Sequence, residues 1–329
     1  MAKVPALPRL LDRKLYKAGQ TRGADDDVIY QNRVLRRSTV LIPYDCWNDC
    51  QNPPEGAAEY ENGYIVLLTP EDYFSRPERA QELAAQGLVA GANALIVYET
   101  REQWLANNPD ALNWVPAEQR KSPLGGQYIA RVPANTAEGG DKINRGFTTT
   151  KKKGAGIRVF EYASKPTINQ TKLQLEAVFW LCIDADATVI RYGMSQQNAE
   201  LRKASTLEKA RLQNLLDLPR LKEARILNQN GTTICPLCLE EFSAEGFFKR
   251  MPQAQGRAVQ DLTVTQVNLF HIQELKVGVF NHRPYNVGWG HHHCNVVARD
   301  VGIPGTLKWM ETVLTRNGLV VNRLVAAAE

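Results

Sequence analysis

Four side chains in the C-terminal part of the sequence have the types and spacing of zinc ligands. Cys235 and Cys238 form a Cys-x-x-Cys pair, and the run 291–295 (His-His-His-Cys-Asn) contains a His-x-x-Cys pair. Three thiolates and one imidazole make a closed tetrahedral site of the kind that holds structural zinc. Helical spacing favours His291 over its two neighbours as the partner of Cys294. We therefore predict a Zn²⁺ site formed by Cys235, Cys238, His291 and Cys294; the alternative is a reduced cluster without metal.

A histidine that these ligands leave unused lies between the two pairs. His271 begins the phrase His-Ile-Gln-Glu-Leu, Asn286 lies in a Pro-Tyr-Asn-Val-Gly segment, and Asn295 directly follows the last cysteine. Phosphodiester hydrolysis needs a base to deprotonate water and a cation to neutralise the charge that develops on the phosphate. Considered alone, His271 could be a structural histidine that makes its hydrogen bonds at a strand end, and Asn286 could simply form a turn. A competing carboxylate–lysine pattern, Asp261 with the triplet 274–276, leaves the zinc ligands unexplained.

The whole set resembles the HNH (ββα-metal) endonucleases over residues 235–302. In that family a strand ends in His-Ile-x-x-Leu, a loop carries an asparagine, and a zinc knuckle begins a helix. The resemblance implies that His271 is the general base, that Asn286 pins the loop and so orients the base, and that Asn295 lies in the first helical turn. It also implies a catalytic Mg²⁺, for which the neutral oxygen of Asn295 is a weak ligand.

The residue before the implied base departs from the family pattern. Most relatives have an Asp or His there that ligates the metal, whereas this chain has Phe270. An aromatic ring cannot coordinate magnesium, so the catalytic cation would need another anchor. The nearby candidates are Glu274, His292, His293 and Asp300.

Two stretches, residues 125–133 and 144–154, are rich in Gly, Thr, Arg and Lys. Backbone N–H groups, hydroxyls and cations in such loops can lie along phosphates, while amide and guanidinium groups read base edges. We predict that three polar side chains read bases and that three lysines bind phosphates: Gln127, Asn144 and Arg145, and Lys151, Lys152 and Lys153. The alternative is a solvated hairpin tip whose lysines only keep it soluble.

Hydrophobic patterns outline the elements that must position these residues. Residues 63–69 and 94–98 have the pattern of buried strands, and residues 77–88 have the spacing of an amphipathic helix. From residue 173 to 228 the pattern is mostly helical and fits either a packed linker or a dimer seam. The sequence therefore predicts an α+β protein with a mixed α/β DNA-recognition domain (1–165), a helical linker or dimerisation segment (166–228) and a zinc-stapled HNH nuclease domain (229–329).

Length and composition set broader limits. The 329 residues, 43% of them hydrophobic, suffice for two domains with real cores. A net charge of +5 is compatible with a polyanionic partner but does not require one. No apolar run is long enough for a membrane span and the N-terminus lacks a signal-peptide core, so we expect no membrane partner and a cytoplasmic location in a bacterial or archaeal cell. Cys46 and Cys50 are interpreted as unpaired thiols, with a second metal half-site as the alternative.

The phrases at 233–239, 268–275 and 281–295 are similar to those of type II restriction enzymes with an HNH domain, the BstXI-like group. This resemblance implies a sequence-specific endonuclease that cuts double-stranded DNA as a homodimer, because one hairpin breaks one strand. The alternatives are a monomeric nicking nuclease and a modification-dependent nuclease that stacks a flipped base on Trp47, Trp104 or Trp114. A zinc module that binds DNA without cleaving it is the alternative from another class.

Overall fold

The computed structural model describes residues 4–22, 33–54, 57–132, 143–147, 156–251, 265–299 and 301–319. The chain divides into two compact units. The sheet unit consists of Gly19–Pro166 and Lys276–Phe280, and the helical unit consists of Met1–Ala18, Thr167–Leu275 and Asn281–Glu329. The predicted helical segment and the predicted zinc ligands therefore lie in one unit, together with the N-terminal helix. A separate domain boundary near residue 228 stays a prediction.

The sheet unit is built from short strands, most of which are parallel. The strands are β1 (Gln20–Arg22), β2 (Arg33–Leu35), β3 (Val40–Pro43), β4 (Tyr64–Leu68), β5 (Ala94–Tyr98), β6 (Tyr128–Arg131), β7 (Asn144–Arg145) and β8 (Ile157–Arg158). Six of them form one sheet in the order β7-β6-β5-β4-β3-β8, in which only β7 is antiparallel to its neighbour. Strands β1 and β2 form a separate antiparallel pair. The two strands predicted at 63–69 and 94–98 are confirmed as β4 and β5.

Burial on both faces explains why the central strands are apolar runs. Ile42, Ile65 and Ile96 are all 0% exposed, as parallel strands covered on both sides require. The helices of this unit are α2 (Trp47–Cys50), α3 (Pro70–Phe74), α4 (Arg79–Ala85) and α5 (Arg101–Ala106), and α4 confirms the helix predicted within 77–88. Thr69 and Thr100 begin α3 and α5 with capping boxes, which satisfy the first backbone N–H groups of each helix.

The helical unit surrounds a single antiparallel hairpin. Its helices are α1 (Arg9–Lys17), α6 (Lys165–Phe179), α7 (Ala185–Arg191), α8 (Gln196–Leu212), α9 (Leu218–Glu223), α10 (His292–Ala298) and α11 (Gly302–Arg316). The hairpin strands are β9 (Val267–His271) and β10 (Val287–His291), paired from Val287–His271 to His291–Val267. Trp289 on β10 donates from Nε1 to the Leu175 carbonyl at 2.9 Å, which ties the hairpin to α6. Helix α10 begins directly after β10, so the hairpin and this helix form a ββα arrangement.

The observed mostly parallel sheet and the helices after residue 165 confirm the coarser part of the predicted α+β class, a mixture of α and β structure. The assignment of an HNH domain stays a prediction. Three-residue or four-residue 3₁₀ turns complete the regular structure at Tyr44–Cys46, Val159–Glu161 and Ala244–Phe247. Within the described ranges, none of the helices has the length and apolar character needed to cross a membrane.

Candidate functional site

The four predicted zinc ligands come together in the helical unit. The Sγ atoms of Cys235, Cys238 and Cys294 and a ring nitrogen of His291 all lie within 4.8 Å of one another. The distance from Cys238 Sγ to His291 Nδ1 is 3.3 Å. Ligands about 2.0–2.3 Å from a tetrahedral zinc ion are separated from each other by about 3.5–3.8 Å, so small shifts would complete the coordination sphere. The donor set therefore fits Zn²⁺ in both chemistry and spacing.

Local backbone structure places Cys235 and Cys238 on one tight turn. Leu239 donates from its backbone N–H to the Cys235 carbonyl at 2.8 Å, and Cys235 donates to the Glu240 carbonyl at 2.9 Å. Leu239 has a positive φ of 64°, which closes this tight turn and directs Cys238 back towards Cys235. The other two ligands follow from the end of the hairpin, because His291 is the last residue of β10 and Cys294 lies in the first turn of α10.

The electrostatics of the cluster favour a cation. Burial opposes ionisation of Cys235, but hydrogen bonds from His291 and from backbone N–H groups outweigh it and lower its pKa to about 6. Burial raises the pKa of Cys238 and of Cys294, and the negative charge on Cys235 raises both further. The hydrogen bond with Cys235 raises the pKa of His291. Several thiolates this close together need a positive charge between them, which a divalent metal supplies.

His271 occupies the end of strand β9, opposite Val287. Its side chain is half-buried, and its Nε2 atom lies 2.9 Å from Nδ1 of His282. The following residue, Ile272, donates its backbone N–H to the Asn286 carbonyl at 3.0 Å and so extends the pairing of the hairpin by one step. The predicted base therefore sits at the mouth of the hairpin, where the two strands open into their connecting loop.

The Asn286 side chain makes two hydrogen bonds within that loop. Its side-chain Oδ1 accepts from the Gln273 N–H at 2.8 Å, and its Nδ2 donates to the Asn281 carbonyl at 2.6 Å. The Asn281 side chain in turn donates to the Glu274 carbonyl at 2.5 Å. These bonds fix both sides of the loop, and Asn286 itself is only 3% exposed. The backbone that follows His271 is therefore held by a buried amide.

Phe270 is a core residue, not a substitute ligand. It is 0% exposed and packs in the main hydrophobic cluster of the helical unit. Gly290 on the neighbouring strand leaves the space that the ring fills, since a Cβ at Gly290 would lie 2.9 Å from Cβ and Cγ of Phe270. The side chain that precedes His271 in sequence therefore packs in the core.

The residues that could anchor a catalytic Mg²⁺ are spread around α10. Asn295 is half-buried in the first part of this helix. His292 approaches Asn268 Nδ2 with its Nδ1 at 3.0 Å, and the exposed His293 ring stacks on the ring of His291 at 5.4 Å between centroids. Asp300 lies outside the described residues. Over the part of the chain that the structure describes, the Cys3His cluster is the only group of three or more His, Cys, Asp or Glu side chains placed to hold a metal.

The predicted DNA-contacting residues belong to the sheet unit. Gln127 accepts through Oε1 from the Val115 N–H at 3.1 Å, and Arg145 forms an ion pair with Asp110 while its guanidinium lies 5.0 Å from the Trp104 ring centre. The Tyr128 hydroxyl and the Asp110 carboxylate raise the pKa of Arg145. The backbone of Asn144 is in β7, and Lys151, Lys152 and Lys153 lie outside the described residues. The DNA-reading assignment stays a prediction.

Two residues near the hairpin were not predicted from the sequence. His282 is 1% exposed and contacts His271, and Lys14 of α1 is 3% exposed and donates from Nζ to the Val267 carbonyl at 2.5 Å. No sequence spacing links α1 with residues more than 250 positions later. The one available signal was the phrase Asn281-His282 close to the predicted loop asparagine, since a histidine near an implied base is a candidate partner.

The hairpin, its loop and most of the cysteine cluster lie within a region that is similar to a known family. A family model described as BstXI restriction endonuclease matches residues 13–292, which include His271, His282, Asn286 and three of the four cluster ligands; the fourth, Cys294, lies just beyond the match. Searches of curated proteins and of solved structures gave no significant match.

Proposed function

The chain belongs to the BstXI restriction endonuclease family, whose members are type II restriction enzymes that cleave DNA, and we propose that it cuts DNA at a ββα-metal (HNH) site with His271 as the general base. The observation that carries this assignment is the ββα arrangement itself. A hairpin ends at a half-buried histidine, a buried asparagine pins its loop, and a Cys3His cluster joins the hairpin to the following helix. These three features support the proposal, whereas Phe270 departs from the motif.

The proposed reaction is hydrolysis of one phosphodiester bond at each site. His271 removes a proton from a water molecule, the water oxygen forms a bond to phosphorus, and the bond from phosphorus to the leaving oxygen breaks. A neutral imidazole is needed for this step, and its correct position depends on the loop that Asn286 holds. Restriction enzymes typically use Mg²⁺, which neutralises charge on the phosphate when bound. Asn295 is our candidate for one of its ligands.

Zinc in this proposal is structural. The four donors form a closed site with no position left for water, and closed sites of this kind stabilise small domains. Cys235 and Cys238 precede the hairpin, whereas His291 and Cys294 end it and begin α10. A bound ion would therefore cross-link segments more than fifty residues apart in sequence.

We further propose that the enzyme is a homodimer on double-stranded DNA, because one site cuts one strand and a two-fold pair cuts both. Gln127, Asn144 and Arg145 are the proposed base-reading residues and Lys151, Lys152 and Lys153 the proposed phosphate-binding residues. Trp47 and Trp104 are 6% and 8% exposed, which favours core packing over base stacking for these two rings. A cytoplasmic location in a bacterial or archaeal cell completes the proposal.

Digestion of phage DNA in Mg²⁺ by the wild type and by His271→Ala tests the function and the base together. The wild type should give discrete fragments, while His271→Ala should leave the DNA intact with zinc content and DNA affinity nearly unchanged. Nicked circles from a plasmid would contradict the homodimer, and a smear would contradict sequence specificity. Cleavage by His271→Ala at the wild-type rate would remove His271 from the mechanism.

A further inference from the structure

A buried histidine connects the candidate base to the end of the N-terminal helix. His282 is 1% exposed, its Nδ1 lies 2.9 Å from His271 Nε2, and its Nε2 lies 2.7 Å from the Ala18 carbonyl oxygen. All three residues belong to the helical unit. The result is a continuous chain of two hydrogen bonds, from a helix end through one imidazole to another.

The end of α1 explains why the chain of hydrogen bonds begins there. Ala18 is the C-cap of this helix, so its carbonyl has no partner in a following helical turn. Carbonyls at a helix C-terminus also carry the partial negative charge of the helix dipole. The Lys14 side chain holds the same helix to the Val267 carbonyl on β9, so α1 is fixed against the strand that carries His271. The acceptor for His282 is therefore rigidly placed.

Proton accounting then assigns the tautomers. A carbonyl oxygen can only accept, so the hydrogen between His282 and Ala18 belongs to His282 Nε2. A neutral imidazole has one N–H, so His282 Nδ1 carries a lone pair and must accept from His271 Nε2. Neutral His271 therefore keeps its hydrogen on Nε2, and its lone pair is on Nδ1.

We propose that His282 is a positioning residue which fixes His271 in the Nε2–H tautomer, so that Nδ1 is the atom that takes the proton from water. This inference deepens the proposed function and rests on it, since it assumes that His271 is the base. When the proton reaches Nδ1, the positive charge on His271 is stabilised by the N–H that it keeps donating to His282. His282 is buried and acts through its hydrogen bond to His271.

The tautomer of His271 can be measured directly in the wild-type protein. The chain has only five histidines, so selective ¹⁵N-histidine labelling and long-range ¹H–¹⁵N correlation spectra can resolve each ring, with single His→Gln variants providing the assignments. We expect the protonated nitrogen of neutral His271 to be Nε2 and that of His282 to be Nε2 as well. A wild-type His271 protonated on Nδ1 would overturn the proposal, whatever the activity of any variant.

His282→Phe provides the kinetic test, because it keeps a ring of similar volume and removes both nitrogens. The expected result is a fall in kcat of about 10–100-fold at unchanged KM, with loss of the single His271 tautomer, by analogy with hydrogen-bond partners of metal-ligating histidines, whose loss has effects of this size. His282→Gln, which can both accept and donate, should recover part of kcat. Val189→Ala, a core change in α7, serves as a control for lowered stability and should not alter the tautomer.

The outcomes separate this inference from the proposed function. If His271→Ala still cleaves DNA, the base assignment fails, while the spectra still report whether His282 sets the tautomer. If His271→Ala is inactive but folded His282→Phe keeps kcat within twofold of wild type, the base assignment survives and the function of His282 in positioning it fails. If His282→Phe does not fold, the His271 tautomer in the wild-type spectra and the kcat of His282→Gln test the positioning function of His282 instead.

Discussion

Asn286→Ala is the change that isolates the loop asparagine from the strand pairing around it. The substitution removes the side-chain bonds to the Gln273 N–H and the Asn281 carbonyl. It keeps the backbone bond from Ile272 N–H to the Asn286 carbonyl, which continues the pairing of β9 with β10. The hairpin should therefore form in the variant, with a loop that is no longer pinned.

The cost in stability follows from the two side-chain hydrogen bonds that are lost. The Gln273 N–H belongs to an exposed residue and can bond to water instead, so loss of its bond to Asn286 should cost about 0.5–1.5 kcal/mol. The Asn281 carbonyl loses one donor but still accepts from the Arg283 N–H at 3.0 Å, so this loss should also cost about 0.5–1.5 kcal/mol. We expect the free energy of unfolding to fall by about 1–3 kcal/mol in total. Loss of loop geometry beside His271 should lower the cleavage rate by about 10–100-fold.

Denaturant unfolding in zinc-saturated buffer and single-turnover cleavage at saturating enzyme measure the two effects separately. Asn281→Ala is the matched control, because that side chain makes one bond, to the Glu274 carbonyl, and its Oδ1 has no partner among the described residues. It loses one hydrogen bond instead of two and should cost about 0.5–1.5 kcal/mol, less than Asn286→Ala. Asn286→Asp keeps an acceptor for Gln273 but turns a second oxygen towards the Asn281 carbonyl, so it should be at least as unstable as Asn286→Ala at neutral pH.

Two results would refute this function of Asn286. One is an Asn286→Ala variant that loses no more stability than Asn281→Ala. The other is a folded Asn286→Ala variant whose cleavage rate stays within twofold of the wild-type rate, because the amide would then not orient the base.

Three further predictions concern the metal cluster, the hairpin core and the basic segment. Zinc uptake by the folded apoprotein at pH 7 should release about two protons from Cys238 and Cys294 and part of one from His291, whose pKa values are raised, while Cys235 releases almost none because its pKa is about 6. Calorimetry in buffers of different ionisation enthalpy gives this count, and zinc affinity should fall as the pH drops through 6; a release of three full thiol protons would contradict the state assigned to Cys235. Gly290→Ala should cost about 1–3 kcal/mol by overpacking Phe270, and Phe270→Ala, which removes the ring carbons next to the new Cβ, should relieve part of that cost in the double variant, so strictly additive costs would argue against this contact. Replacing Lys151, Lys152 and Lys153 with Ala should reduce the slope of log affinity against log salt by about 0.9 for each phosphate that these lysines neutralise, and an unchanged slope would mean that they do not bind DNA.

The zinc cluster was predictable because its signal is local. Cys-x-x-Cys and His-x-x-Cys each fix two donors on one turn or one helix, and the structure only has to bring the two halves together. Strands β4 and β5 were also predictable from the sequence, because buried parallel strands are continuous apolar runs. The loop function of Asn286 followed from its place in the motif, and its two hydrogen bonds agree with that interpretation.

Interactions distant in sequence were not predictable. Nothing in the N-terminal residues indicates that Ala18 accepts from His282 or that buried Lys14 bonds to β9. The short strand β8, which joins the sheet beside β3, has too few residues to give a pattern. Residues 276–280 belong to the sheet unit although in sequence they lie between the two hairpin strands of the helical unit. No change in composition along the sequence indicates this. Such features depend on packing between surfaces, which a single sequence does not display.

The single-turnover cleavage rate of His271→Ala on DNA carrying the mapped wild-type target tests the central claim most directly. With zinc content and DNA affinity matched to wild type, we predict a rate at least about 10²–10⁴-fold lower, the usual contribution of a general base. A rate within tenfold of wild type in this correctly folded, DNA-bound variant would contradict the assignment of His271 as the base.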